Sequence, residues 1–291
     1  MKIDKVLFAS SSSIEYGPFW NIQSEVFKKM GIEPICLLFG KKEEAGMVET
    51  HGKIIEMPIN PDLPWILQLI LSKFYFPTTE PETTWLIGDI DMLPLQKTWF
   101  TSMLESVPSE NYVHLNHDGI SLPRLGFANG FLTRGPQVLG SPSSPGADIP
   151  GHYHVAKGKL FEIFRKGQEF NDIVRYVADS HRYGLGVADG RPRDDAKSNP
   201  YWYYWCSEEM YTSEQIWNEM HAGKLTYQGF SYNNSNNANR VDRSNWNDSV
   251  GDYQYDPQRA IDGNFVDVHC ARPYAKQEPA LRRLLELARM L

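Results

Sequence analysis

The chain has 291 residues, 41% hydrophobic and 22% charged, with a formal net charge of −7. That is apolar material for one large α/β domain or two small ones. The acidic balance argues against a general nucleic-acid or anionic-membrane binder, which needs a basic surplus to meet phosphates. Three scattered cysteines, Cys36, Cys206 and Cys270, make neither a disulfide framework nor a zinc set.

Lys5–Ser11 reads as a buried first strand running into Ser10, Ser11, Ser12 and Ser13. After Gly17-Pro18, the residues Phe19, Ile22, Val26, Phe27 and Met30 recur at helical spacing, and Gly31 closes that helix as its C′ residue. Ile35–Phe39 is a second strand, with Cys36 expected inside it as a small buried hydrophobe. Together these make a βαβ opening, hence an α/β fold with a mainly parallel sheet. A short strand over Lys53–Met57 and a helix after Pro64 follow. The apolar runs at the start and around Trp65–Leu71 are too short for a signal core or a membrane span. A soluble, cytoplasmic chain is therefore expected.

Trp85-Leu86-Ile87-Gly88-Asp89-Ile90-Asp91-Met92-Leu93-Pro94 is the most informative stretch. A buried strand ends there in two carboxylates one residue apart. In an open α/β sheet, ligands bind at the carboxyl ends of the strands. Two hard oxygen donors at that rim suit Mg²⁺ or Mn²⁺, with nucleotide phosphates completing the shell. A chain this rich in Asp holds about one Asp-x-Asp by chance, so the strand before the pair carries the argument.

Farther on, Gly151–Lys159 reads as a strand-to-helix junction carrying His152 and His154, with His154 a candidate for acceptor contact. Trp202-Tyr203-Tyr204-Trp205 precedes a helix with Ser207 as N-cap and Glu208 and Glu209 in its first turn. Those glutamates either complement the helix dipole or supply a general base beside a Trp202/Trp205 platform. Aromatic residues make up 13% of the chain, including 8 Trp and 15 Tyr. Many stand in polar neighbourhoods, which suits stacking on sugars. Two long polar stretches, 141–151 and the Asn-rich 231–256, read as linker or lid loops. A short strand then ends in His269, with Arg272 and Tyr274 just beyond. The final helix, 278–291, carries Leu281, Leu284, Leu285, Ala288 and Leu291 on one stripe. It either docks on its own domain or offers a dimer or membrane-surface contact.

This order of motifs resembles the nucleotide-sugar-dependent glycosyltransferases of the GT-A fold. The likeness rests on a first strand ending in small polar residues, a strand followed by Asp89-Ile90-Asp91, an acidic pair opening a later helix, and a late strand ending in His269. It covers nearly the whole chain as an ordering, and each motif alone is weak. It implies one GT-A-like domain, with residues 1–115 taking donor and metal. Residues 116–291 would take the acceptor, with the lid at 231–256 and the C-terminal helix. It further implies Asp89, Asp91 and His269 as ligands of Mn²⁺ or Mg²⁺, and Glu209, or else Glu208, as base in an inverting reaction. Donor contacts would come from Ser10, Ser11, Ser12, Tyr16, Asp89 and Arg272, with Arg240 or Arg243 adding charge. Glu208-Glu209 departs from the Glu-Asp or Asp-Asp of many relatives, which leaves the base assignment and the stereochemical outcome open. The implied partners are a nucleoside-diphosphate sugar and a carbohydrate acceptor.

Two alternatives stand beside this reading. A nucleotidyltransferase that makes sugar nucleotides usually begins with a Gly-rich, Lys/Arg-bearing loop, and Ser10–Ser13 has neither feature. A non-catalytic carbohydrate-binding protein would use the aromatics alone.

Overall fold

The computed structural model describes residues 1–116, 149, 151–180, 187–188, 191–192, 204, 207–230 and 239–291. The chain forms two compact units. One comprises Met1–Pro58, Thr84–Ser109 and Tyr232–Leu291; the other comprises Ile59–Thr83 and Glu110–Ser231. In chain order the strands are β1 (Lys5–Ser11), β2 (Glu33–Phe39), β3 (Lys53–Glu56), β4 (Thr84–Ile87), β5 (Met92–Pro94), β6 (Tyr112–His114) and β7 (His154–Lys157). The remainder are β8 (Val187–Ala188), β9 (Arg191–Pro192), β10 (Tyr227–Gly229), β11 (Arg240–Val241), β12 (Trp246–Asn247), β13 (Asp252–Tyr253) and β14 (Asp267–His269).

In the first unit β4, β1, β2 and β3 lie side by side, every pair parallel, with Leu7 opposite both Ile35 and Ile87. Parallel strands are apolar almost throughout, because helices and loops cover both faces. Val6, Leu7, Phe8, Cys36, Leu37 and Leu38 are all fully buried. The helix Phe19–Met30 crosses from β1 to β2 and buries the whole expected stripe, from Phe19 through Met30. It ends at Gly31, whose φ of 83° is the left-handed turn that favours glycine. Phe8 meets Phe27 at 5.6 Å and Trp20 at 6.3 Å between ring centroids. Burial of each such aromatic contributes about 1.5–3 kcal/mol or more.

A second, three-stranded sheet of this unit runs β11-β14-β5, with β14 antiparallel to β5 and parallel to β11. The C-terminal helix spans Tyr274–Leu287, one turn earlier than its leucine stripe alone indicates. Leu281, Leu284 and Leu285 are fully buried, Tyr274 packs edge-on against Phe19 at 5.0 Å, and Arg282 reaches Glu25 at 3.3 Å. The three leucines at the centre of the apolar stripe therefore dock inside their own unit. Among the described residues no helix is long and apolar enough to cross a membrane.

The other unit holds β10 parallel to β6 and β6 antiparallel to β7. Among the described residues its α-helices are Trp65–Tyr75, Glu162–Arg165, Phe170–Ser180 and Ser207–His221, and β8 pairs with β9. Phe74, Tyr112, Phe161 and Phe164 fill its interior.

The described part of the Asn-rich stretch, residues 239–256, holds β11, a 3₁₀ turn at Arg243–Asn245 and the hairpin β12–β13, joined by turns. Its Asn and Asp side chains cap turns, as where Asn247 Oδ1 accepts from the Ser249 N–H. The tryptophans also divide differently. Trp20, Trp85, Trp99 and Trp217 are buried core, and Trp65 is exposed.

Candidate functional site

β4 delivers the chain to Gly88, where a Cβ would lie 2.5 Å from the Phe8 ring. Only glycine lets the backbone pass that close and place Asp89 and Asp91 directly after the strand. The turn closes with the Met92 N–H donating to Asp89 O at 3.0 Å, and β5 begins. The β5–β14 register sets His269 opposite Met92, beside Asp91. His269 Nε2 lies 3.8 Å from Asp91 Oδ2, and its Nδ1 lies 3.3 Å from Asp242 Oδ2.

Asp242, which the sequence reading did not single out, stands beside His269. Its own signal, Asp three residues before Asn245, marks a turn. Asp242 Oδ1 accepts from the Ser244 N–H at 2.9 Å, and Asn245 Oδ1 accepts from the Asp242 N–H at 2.8 Å. Nothing local announces that its second oxygen faces a histidine. Burial alone would raise Asp242, but hydrogen bonds from His269 and Ser244 outweigh it and hold the carboxyl well below the ordinary range. Asp91 goes the other way. Burial raises it, Asp89 adds to the rise, and His269 and Arg243 oppose.

These donors fit a hard or borderline divalent ion by chemistry. A distance of 3.8 Å is too long for a hydrogen bond, and within the span of two atoms each about 2.1 Å from one cation. When the ring is neutral, an acceptor-only carboxylate at Nδ1 favours the tautomer whose Nε2 lone pair is free to ligate a metal. Among the described residues, no group of three or more His, Cys, Asp or Glu closes into a ready-made cage. Mg²⁺ and Mn²⁺ commonly retain phosphate and water ligands rather than requiring one.

Tyr16 and Arg272, expected on the donor, come together: the guanidinium carbon stands 4.7 Å from the Tyr16 ring centroid. Burial lowers Arg272 from its usual value, partly countered by Glu15. Ser10 is buried and donates to Ser11 O at 3.1 Å, while Ser11 Oγ accepts from the Ser13 N–H at 3.4 Å, so two hydroxyls shape the loop itself. Ser12 is half-buried beside Gly40, where a Cβ would meet its side chain at 2.5 Å. The role proposed for Arg240 is corrected. It grips the fully buried Asp267 with two bonds of 2.6 and 2.7 Å, which commits its charge to the fold.

In the other unit, Glu208 and Glu209 occupy the first turn of Ser207–His221. Glu208 is 7% exposed, and a Cβ on Gly151 would come 2.7 Å from its Oε1. Glu209 Oε1 accepts from the Gly151 N–H at 3.4 Å. Trp202 and Trp205 lie outside the described residues. His154 is corrected from an acceptor contact to a core residue: it is fully buried, its Nδ1 is 3.0 Å from the Tyr112 hydroxyl, and its ring meets Phe74 at 5.1 Å. His152 instead meets Asn116 at 2.9 Å, so the two imidazoles have separate polar partners.

No protein-family model and no curated protein matches the chain. Among solved structures it is similar to the galactosyltransferase LgtC in complex with donor and acceptor sugar analogues. That likeness has 14% identity and a TM-score of 0.40, over 99% of this chain and 96% of that one. A glycosyltransferase involved in glycosylation of the major capsid of PBCV-1 gives 12% identity and a TM-score of 0.37, over 99% and 100%. UDP-glucose pyrophosphorylase from Acinetobacter baumanii gives 12% and 0.28, over 61% and 83%. Likenesses at this level assign neither an activity nor a residue.

Proposed function

We propose that the chain is a glycosyltransferase that moves a sugar from a nucleoside-diphosphate sugar to a hydroxyl acceptor, with Mn²⁺ or Mg²⁺ at Asp89, Asp91 and His269. The observation that supports the metal reading most is the line Asp91–His269–Asp242, a carboxylate and an imidazole aimed at one another with a second carboxylate fixing the ring. A divalent ion held by Asp89, Asp91 and His269 would supply positive charge to offset the negative charge developing on a departing diphosphate. In this reading Tyr16 offers a ring face to the nucleoside and Arg272 a planar cation to phosphate oxygens. Its packing on Tyr16 orients that guanidinium before the donor arrives. In the same reading Glu209 takes the proton of the acceptor hydroxyl in an inverting displacement.

The test is a thermal-shift screen against UDP-, GDP-, CDP- and dTDP-sugars, with and without Mn²⁺. One nucleotide class should raise the melting temperature strongly and only with the metal. Saturation at 100 times Kd corresponds to about 2.7 kcal/mol of added stability. Stabilisation by free sugars with no nucleotide or metal requirement would favour the carbohydrate-binding alternative. Turnover of a nucleoside triphosphate with a sugar phosphate would favour the nucleotidyltransferase.

A further inference from the structure

Of the four carbonyls from Asp89 to Met92 in the loop that carries Asp89 and Asp91, that of Asp89 closes the turn with the Met92 N–H and that of Asp91 is reached by the strand ladder. The Cys270 N–H donates to Asp91 O at 2.8 Å, and the Leu95 N–H donates to Val266 O at 2.8 Å. In an antiparallel pair, opposed residues alternate between bonded and non-bonded. With Asp91/Cys270 and Leu95/Val266 bonded, the intervening Met92/His269 pair is non-bonded, and the Met92 carbonyl points away from β14.

One side chain meets what the ladder leaves. Gln23, on the buried face of the helix Phe19–Met30 and fully inaccessible, directs its amide Nε2 at Met92 O (2.7 Å), Ile90 O (3.2 Å) and Asp89 O (3.4 Å). Its Oε1 has no hydrogen-bond partner among the described residues. An orphaned buried acceptor is destabilising, and a Met or Leu of similar volume would avoid that loss. The benefit of glutamine here lies in its donor end, and the donor end serves the Asp89–Met92 turn.

We propose that Gln23 is a positioning residue for the metal site: its amide holds the Asp89–Met92 backbone so that Asp91 faces His269. The inference rests on the metal reading above. Asp91 sits between two carbonyls fixed by Gln23, and Met92, the residue opposite His269, is fixed by the shortest of the three bonds. Loss of the amide frees the turn on the side away from β14, and the Asp91–His269 spacing loosens with it.

The test follows free Mn²⁺ by its paramagnetic resonance during titration of metal-stripped protein, alone and with UDP, GDP, CDP or dTDP. Wild type, Gln23→Met, Gln23→Asn and Asp91→Asn are compared well below their melting temperatures, so that a general loss of stability does not register. Gln23→Met should bind Mn²⁺ about 10–100-fold more weakly, the usual effect of removing a partner that orients ligands. Gln23→Asn, with its amide one methylene short, should also bind more weakly, and it decides the matter by the same criterion if Gln23→Met does not fold. Wild-type affinity in the glutamine variants, with binding lost in Asp91→Asn, overturns the role of Gln23 alone. Unchanged affinity in Asp91→Asn, or no Mn²⁺ binding by wild type, overturns the metal reading and this proposal with it.

Discussion

His269 Nε2 stands 3.8 Å from Asp91 Oδ2 because β14 pairs antiparallel with β5, whose first residue follows Asp91 in the chain. A slip of one residue in that pairing would turn His269 to the opposite face of the sheet. The spacing is thus a property of strand register, and it brings together residues far apart in the sequence.

Asp91→Asn should abolish Mn²⁺-dependent donor binding and yet leave the metal-free protein at least as stable. Burial raises the Asp91 carboxyl, so the folded chain holds this proton more tightly than the unfolded chain does. Its contribution to stability is then fully present below the unfolded value and is lost as pH rises through the folded one. In chelator, the melting temperature of Asp91→Asn relative to wild type should climb as pH rises from 4 toward 7. A variant that melts lower than wild type at neutral pH contradicts this.

Asp242 carries the opposite sign. Its carboxyl is held low, so its contribution is present above the unfolded value and is lost as pH falls through the folded one. Asp242→Asn should therefore flatten the acid limb of a melting curve taken between pH 5 and 2. The same variant should weaken Mn²⁺ binding about 10–100-fold, because the proton on His269 Nδ1 loses its charged acceptor. If Mn²⁺ affinity stays at the wild-type level, Asp242 is a turn cap and nothing more.

Arg240 and Asp267 form a paired charge in which Asp267 is wholly inaccessible. Removal of one partner leaves the other charge buried and uncompensated, at a cost of about 3–5 kcal/mol. Asp267→Ala should show that loss in urea unfolding at neutral pH. The Arg240→Met, Asp267→Leu double variant should recover much of it, since an apolar pair of similar size needs no solvation. A loss below about 1 kcal/mol in Asp267→Ala would mean that water reaches the pair.

What the sequence made legible follows from what is local. The first strand and the Phe19–Met30 helix sit where apolar periodicity and Gly31 put them, because both signals are carried by neighbouring residues. The Asp89/Asp91 loop and the strand ending in His269 were readable for the same reason. Asp242, Gln23 and the Arg240–Asp267 pair were not, since each meets its partner through register or helix packing. His154 misled because a histidine in a polar stretch reads as surface, whereas Tyr112 supplies a buried partner from another strand.

The catalytic prediction turns on the difference between two adjacent glutamates. Neighbouring positions on a helix point about 100° apart, so Glu208 and Glu209 face different surroundings. Glu208 is 7% exposed and lies against Gly151, where any larger residue would collide with its carboxylate. Glu209 is half-buried, its Oε1 accepting from the Gly151 N–H at 3.4 Å, and is thus the more exposed of the two to an approaching hydroxyl. Glu209→Gln keeps shape and removes basicity, so donor binding should persist while transfer falls about 10²–10⁴-fold. Glu208→Gln should act on melting temperature more than on turnover, since its neighbourhood is structural. Both variants are to be assayed for sugar transfer and for donor-dependent thermal shift in parallel. The reverse ranking in transfer moves the base to Glu208, and near-normal transfer in both sinks the general-base displacement.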